Sequence, residues 1–254
     1  MEKGEKGSPT TQLALAALNK EIGITRTRSS VPDISVIVPV YNEEKTIATV
    51  LKMLLDVNCS PYTMESIVVD DGSTDNSADE IKAFPSIRYI RHQNNMGKGA
   101  ALQTGFRNST GKVVIIQDAD MEYSPEFIPE LARPILLGSA DVVFGSRFTG
   151  KSKGMSFSHY MGNRILSLTA RLLFDAHITD IMTGSKAFSR AVVDSLELHE
   201  NGFGVEVEMT SKTLQNGWKF FEVPIMYSYR TVGSSKIRFS DGFKCLLQLF
   251  SSRI

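Results

Sequence analysis

The sequence predicts an α/β fold in which a mostly parallel β-sheet is flanked by helices. Short β-branched runs alternate with segments of helical periodicity along most of the chain, and this alternation is typical of parallel sheets that helices cover on both faces. At 254 residues the chain is long enough to bury the core of a large domain. Its composition is that of an ordinary globular protein, because 42% of the residues are hydrophobic and 22% are charged.

The chain begins with a segment that the alternating pattern does not include. Residues 2–9 are polar and contain glycine, residues 11–21 have the spacing of a short helix, and residues 26–32 are typical of a linker. We therefore predict an N-terminal extension over residues 1–32, partly disordered, followed by one domain over residues 33–254.

Strands and helices alternate in the first half of this domain, residues 33–147. The predicted strands span residues 34–38, 67–69, 87–90, 113–116 and 141–144. The predicted helices span residues 43–57, 74–84, 97–106 and 125–137. Ligands bind parallel sheets at the carboxyl ends of the strands. Three of these ends carry conspicuous polar residues, so we expect a ligand site there.

The second half of the domain, residues 148–254, has a less regular pattern. The predicted elements are a polar loop over 151–158, a helix over 160–174, a short segment over 183–188, a helix over 205–215 and a strand over 220–229. Pro224 places this last strand at an edge of the sheet, because proline cannot donate a hydrogen bond to a neighbouring strand.

A final amphipathic helix is predicted near the C-terminus. Phe239, Phe243, Leu246, Leu247 and Phe250 recur at helical spacing and form one apolar stripe. The stripe is compatible with a helix packed on the core and with an interfacial helix that rests on a membrane.

Charge and cysteine content exclude some function classes. Lys plus Arg and Asp plus Glu both number 28, so no global charge directs the chain to nucleic acid. Cys59 and Cys245 offer neither a disulfide framework nor a metal-ligand spacing, which predicts reduced thiols in a cytoplasmic protein. No apolar run approaches the ~20 residues that span a bilayer, and the N-terminus does not resemble a signal peptide. We therefore expect any membrane substrate to be met from the surface.

The acidic segment at residues 117–122 is the most informative part of the chain. On an extended backbone, Asp118, Asp120 and Glu122 would point the same way, because successive side chains alternate between faces. Three carboxylates on one side repel one another unless a cation lies between them, and hard divalent cations bind oxygen ligands. The alternative interpretation is a solvated acidic turn after a strand.

Four further segments carry candidate site residues. Asp71 follows a predicted strand and could accept hydrogen bonds from a nucleobase or ribose, although the same segment also suits a helix cap. Lys98 stands among glycines at the start of a predicted helix, where free N–H groups favour an anion, although a tight turn is the better explanation of this motif taken alone. Arg147, and Arg230 with Lys236, form basic clusters that suit either an anion or a solvated surface.

Taken together and in order, these motifs resemble the family 2 glycosyltransferases with the GT-A fold. The resemblance covers about residues 34–250 and rests on VPVYNEE, VDDGSTD, NMGKG, DAD and GSR in the printed sequence. Within that family the chain is most similar to the polyprenyl-phosphate glycosyltransferases of the dolichyl-phosphate mannose synthase type, through the segments 184–188 and 230–236. The GT-A fold is a Rossmann-like, mostly parallel sheet, and the resemblance implies a nucleotide-sugar-binding first half and an acceptor-binding second half.

The resemblance also implies roles for individual residues. The nucleoside would be held by Pro39, Tyr41, Glu43, Val69 and Asp71. The donor would contact Asp118 and Asp120, with Ala119 between them, and Asp120 with Glu122 would bind Mg²⁺ or Mn²⁺. Donor or acceptor phosphates would be bound by Arg147, Arg230 and Lys236.

The implied reaction transfers a hexose from GDP-mannose or a UDP-hexose to a polyprenyl or dolichyl phosphate, with inversion, at the cytosolic membrane face. Peripheral membrane contact is expected, and a membrane-protein partner is allowed but not required. A phosphate monoester is already an anion at neutral pH, because its second pKa is about 6, and needs no base. The alternative is an enzyme that acts on a hydroxyl of a glycan, lipid or small molecule; it needs a base, for which Asp180 is the candidate.

Overall fold

A computed structural model describes residues 31–229 and 239–252. The strands are β1 (Ile34–Val40), β2 (Met64–Asp70), β3 (Arg88–Arg91), β4 (Val113–Ile116), β5 (Val142–Lys153), β6 (Lys186–Ser189) and β7 (Phe220–Ser228). The α-helices are α1 (Ile47–Asp56), α2 (Ser77–Lys82), α3 (Lys98–Asn108), α4 (Ile128–Leu136), α5 (Phe157–Phe174), α6 (Arg190–Ser195), α7 (Val205–Gln215) and α8 (Phe239–Ser251). A 3-10 turn, Pro125–Phe127, precedes α4.

The strands form one mixed sheet in the order β3-β2-β1-β4-β6-β5-β7. Within the described part of the chain, β6 is antiparallel to both of its neighbours, β4 and β5, and every other neighbouring pair is parallel. The predicted α/β class with a mostly parallel sheet is therefore confirmed. Strands β1, β2 and β4 end at the same edge of the sheet, which brings the polar residues that follow them together.

Both faces of the sheet are buried. Val113 and Ile115 of β4 belong to one apolar cluster, and Val114 and Ile116 belong to the other. Successive side chains of a strand point to opposite faces, so a strand covered on both sides needs a continuous apolar run. This is why the VVII run of β4 is a strand of four consecutive buried residues.

The structure differs from the sequence-based expectation in the second half of the domain. The polar loop expected over 151–158 is wrong in its first part, because β5 continues to Lys153 and pairs with β7 beyond an irregularity between Ser146 and Lys151. Helix α6 was not predicted at all. The edge position expected for the strand with Pro224 is confirmed, since β7 is the last strand of the sheet.

The C-terminal helix α8 lies where the apolar periodicity predicts it, but much of the predicted stripe faces outward. Phe243 and Leu247 are exposed, while Cys245 and Leu249 are buried in the core. Among the described residues no helix combines the length and apolarity needed to cross a bilayer. The extension expected over residues 1–32 lies almost entirely outside the described residues and stays a prediction.

Candidate active site

A cavity of about 340 Å³ opens at the carboxyl ends of β1, β2 and β4. It is lined by Pro39, Val40, Tyr41, Glu43, Asp71, Asn95, Gly97, Lys98, Ala101, Asp118, Ala119, Asp120, Glu122, Tyr123, Arg147, Met182, Gly184, Gly202, Phe203 and Glu206. The expected nucleoside residues Pro39, Tyr41, Glu43 and Asp71 are therefore in one place. Val69 is not, because its side chain is buried and packs against Ile67 and Ala101.

Asp71 organises the loop in front of α3. One carboxylate oxygen accepts the backbone N–H of Met96 at 2.9 Å, and the other accepts that of Gly97 at 2.7 Å. The Nδ1 atom of His92 lies 2.7 Å from the first oxygen. Gly97 has a φ of +99°, and a Cβ there would come within 2.2 Å of the Asn201 carbonyl oxygen, so only glycine fits. Asp71 thus fixes the loop from which α3 begins.

Lys98 is the first residue of α3 and forms two ion pairs. Its Nζ lies 2.7 Å from Oδ1 of Asp118 and 2.9 Å from Oε1 of Glu206. Burial works to lower the pKa of Lys98, but the two carboxylates outweigh it and raise that pKa. Burial raises the pKa of Asp118 to about 6, against the opposing effect of Lys98. The pair therefore places a firmly charged cation at the floor of the cavity.

The acidic segment is a turn and not an extended continuation of β4. Met121 has a φ of 66°, and the amide nitrogen of Gln117 donates to the carbonyl oxygens of Asp118, at 3.1 Å, and Tyr123, at 2.9 Å. The described residues contain no group of three His, Cys, Asp or Glu side chains able to hold one metal ion. The expectation that all three carboxylates point the same way on an extended backbone is therefore wrong, because the turn breaks the alternation and Asp118 pairs with Lys98.

The other two carboxylates of the turn, Asp120 and Glu122, are suited to a divalent cation whose coordination is completed by a ligand. Asp120 and Glu122 both line the cavity, and Oδ1 of Asp120 accepts the backbone N–H of Glu122 at 3.1 Å, which holds the two residues together. Mg²⁺ is commonly bound in proteins by one or two carboxylates, with substrate phosphates and water completing its coordination. The donor set of this turn is therefore suited to Mg²⁺ or Mn²⁺ in the presence of a phosphorylated ligand.

Arg147, on β5, faces the same cavity and is held from behind by Asp180. Its Nε lies 2.6 Å and its NH2 group 2.7 Å from the two Asp180 oxygens, and its backbone N–H donates to Oδ2 at 3.1 Å. Asp180 is fully buried and is not among the residues that line the cavity. This geometry does not fit the role of a base expected for Asp180, because both of its oxygens orient Arg147 and neither lines the cavity.

The comparison with known proteins decides the family. The model of "Glycosyl transferase family 2" matches residues 35–196, well over half of the chain.

The chain belongs to glycosyl transferase family 2.

It is 30% identical over 224 residues to a dolichol-phosphate mannosyltransferase of Pyrococcus furiosus, covering 85% of this chain and 62% of that protein, so the chain spans less than two thirds of that relative. It is 31% identical over 213 residues to an undecaprenyl-phosphate mannosyltransferase of Micrococcus luteus, covering 79% of this chain and 86% of that protein.

A solved structure is also similar to this chain. Glucosyl-3-phosphoglycerate synthase from Mycobacterium tuberculosis, in complex with Mn²⁺, uridine diphosphate and phosphoglyceric acid, superposes with a TM-score of 0.65 and 25% identity. The match covers 87% of this chain and 77% of that chain. The resemblance to family 2 and to its polyprenyl-phosphate members, and the GT-A fold, are thus confirmed.

The motifs of the sequence do not signal every residue of this site. Glu206 comes from α7, and it joins Lys98 to the fully buried Lys186 of β6. No spacing signals Glu206, because α7 is buried nearly all round and has no polar face to contrast with an apolar one. His92, which contacts Asp71, is a further residue that no motif in the sequence signals. The predicted phosphate-binding residues Arg230 and Lys236 lie outside the described residues.

Proposed function

We propose that this chain transfers a hexose from a nucleotide sugar to a polyprenyl phosphate, with inversion and with Mg²⁺ or Mn²⁺. The observation that carries the proposal is the composition of one cavity, in which the carboxylates Asp120 and Glu122 face the same space as the cations Lys98 and Arg147. Such a cavity suits a ligand with several phosphate oxygens and a metal ion. Two relatives are mannosyltransferases of dolichol phosphate and undecaprenyl phosphate, which supports the acceptor class.

The proposed roles follow from position. Pro39, Tyr41 and Asp71 line the part of the cavity next to β1 and β2 and would contact the nucleoside. Asp120 and Glu122 would hold the cation, which would neutralise the charge that grows on the departing nucleoside diphosphate. Because Asp118 is fixed by Lys98, it would keep one orientation toward the donor.

Arg147 would bind the acceptor phosphate or the donor pyrophosphate. The bidentate contact with Asp180 holds the guanidinium in one orientation, so little conformational entropy is lost when an anion binds. An oxygen of the acceptor phosphate would form the bond to the anomeric carbon while the bond to the nucleoside diphosphate breaks. No proton has to leave the nucleophile, because a phosphate monoester is already ionised at neutral pH.

The surface suits contact with a membrane that carries the acceptor. Phe157 and Leu172 at the two ends of α5 are 79% and 78% exposed, and Phe243 of the neighbouring helix α8 is 62% exposed. Exposed apolar side chains on two helices that contact each other offer an apolar surface of the kind found at interaction sites. We propose that α5 and α8 rest on the cytosolic face of the membrane.

A second candidate function is transfer to a hydroxyl group. The similarity to a synthase crystallised with phosphoglyceric acid favours it. Such an acceptor needs a base, and Asp180 is fully occupied by Arg147.

A panel of donors and acceptors tests both candidates. GDP-mannose, UDP-glucose and UDP-N-acetylglucosamine are each incubated with Mn²⁺ or Mg²⁺ and with either a short polyprenyl phosphate or phosphoglyceric acid, and released nucleotide is measured. Release that requires the polyprenyl phosphate supports the first candidate. Release only with phosphoglyceric acid, or a product that keeps the donor's anomeric configuration, would refute it.

A further inference from the structure

Four charged side chains of alternating sign run from the core into the cavity. Asp118, at the cavity, pairs with Lys98 at 2.7 Å, and Lys98 pairs with Glu206 at 2.9 Å. The second oxygen of Glu206 accepts a short hydrogen bond from Lys186, which is fully buried. These residues come from the β4 turn, α3, α7 and β6, so the row joins four separate elements of the fold.

The inner end of the row is fixed. The Nζ of Lys186 also donates to the carbonyl oxygens of Ile181, at 3.2 Å, and Thr183, and it lies 4.8 Å from the centre of the Phe144 ring. Lys186 thus has one acceptor for each of its three N–H donors. These three acceptors hold the Lys186 ammonium group in place, and Glu206 is anchored to it.

The outer end of the row is equally constrained. Lys98 binds Oδ1 of Asp118, and Gly184 lies against the other oxygen so closely that a Cβ at position 184 would come within 1.9 Å of Oδ2. The carboxylate is therefore clamped between an ammonium group and a backbone. Its orientation depends on the position of the Lys98 ammonium group, and that position depends in turn on the ion pair with Glu206.

Stability alone does not account for this arrangement. A buried ion pair is often no better for stability than well-packed apolar side chains of similar volume, because both charges lose their hydration. Resting on the function proposed above, we infer that Glu206 is a positioning residue: anchored by Lys186, it holds Lys98 in place, and Lys98 holds Asp118 in the orientation that the donor requires.

A pair of variants separates positioning from stability. Glu206→Gln alone leaves Lys186 buried without a carboxylate and should lower the melting temperature. Glu206→Gln combined with Lys186→Met removes both buried charges and should recover most of that loss. We expect the double variant to have a kcat for nucleotide release reduced by about tenfold or more, since small displacements in an active site are costly, with the KM for the donor little changed.

One further variant serves as a control, and another background tests whether Glu206 acts through Lys98. Glu65→Gln removes a partly buried carboxylate that binds Ser35 and Thr110, away from the cavity, and should leave kcat unchanged. In a Lys98→Met background the double substitution should cause no further loss of kcat, because Glu206 acts through Lys98.

The results that would overturn this inference differ from the results that would refute the proposed function. A double variant with wild-type kcat, or one that fails to recover its melting temperature, overturns the inference, as does a further loss of kcat in the Lys98→Met background. A wild-type protein that releases no nucleotide from any donor refutes the proposed function instead.

Discussion

The pairing of Arg147 with Asp180 makes a prediction that separates the role of a base from that of a support. Asp180→Asn keeps the size of the side chain and one acceptor oxygen but removes the charge. The guanidinium of Arg147 stays protonated in the variant, because an arginine side chain does not lose its proton in proteins. The variant therefore leaves a positive charge, nearly buried, without its partner.

The expected loss of stability is large. Breaking a buried ion pair by removing one partner costs about 3–5 kcal/mol. For a domain of this size, 1 kcal/mol corresponds to a shift of about 2–4 °C, so the melting temperature should fall by roughly 6–20 °C. Asp194→Asn is the matched control. Asp194 pairs with Arg190 at 3.2 Å, but its side chain is 63% exposed, and exposed pairs contribute about 0–1 kcal/mol.

The two roles of Asp180, as a base or as a support for Arg147, also predict different effects of Asp180→Asn on activity. If Asp180 supports Arg147, Asp180→Asn lowers nucleotide release with a phosphate acceptor and with a hydroxyl acceptor alike. Thermal unfolding and nucleotide release below the melting temperature of the variant measure both effects. The reasoning is refuted if the variant keeps the wild-type melting temperature and loses activity only with the hydroxyl acceptor, because that pattern belongs to a general base.

Three further predictions concern the metal, the membrane and the donor. Asp120→Ala should lower kcat by about a hundredfold or more and should weaken the binding of Mn²⁺ in the presence of nucleotide. Calorimetry measures this binding, and an unchanged affinity for Mn²⁺ would exclude Asp120 as a ligand of the cation. Phe243→Asp should weaken sedimentation with anionic vesicles by about tenfold or more, since burying such a side chain contributes about 1.5–3 kcal/mol. The control Leu137→Asp changes an exposed leucine elsewhere and should not weaken sedimentation. Equal effects of the two variants would refute the proposed membrane face. Gly184→Ala should reduce kcat by about tenfold or more, because the added Cβ would collide with the carboxylate of Asp118. The control Gly162→Ala, where the space is open, should leave kcat unchanged. Normal activity in Gly184→Ala would contradict the inference that Gly184 and Lys98 together hold Asp118.

The sequence predicts those features of the fold that local patterns determine. The apolar run of β4 and the polar residues after β1, β2 and β4 follow from alternation and from the rule that ligands bind at the carboxyl ends of parallel strands. The helix α7 begins and ends where its pattern predicts, at Val205 and Gln215. These features need no knowledge of which elements pack against one another.

The features that sequence reasoning missed depend on tertiary contacts. The turn after β4 has its shape because Gln117 bridges its two ends and the backbone of Glu122 accepts the N–H of Ser228 at 3.1 Å, which is distant in sequence. Glu206 resembles a surface residue until α7 is placed against β6. The outward face of α8 is likewise set by the neighbours that cover Cys245 and Leu249.

The partners of the carboxylates favour a phosphate acceptor over a hydroxyl. The carboxylates that line the cavity, within the described residues, are Glu43, Asp71, Asp118, Asp120, Glu122 and Glu206. Asp71 fixes a loop, Asp118 and Glu206 share Lys98, and Glu43 accepts the hydroxyl of Thr46 at 3.2 Å. Asp120 and Glu122 have the position suited to the cation. A hydroxyl acceptor would have to take its base from a group that already has another task, whereas a phosphate acceptor brings its own negative charge and requires only the cations that this cavity provides.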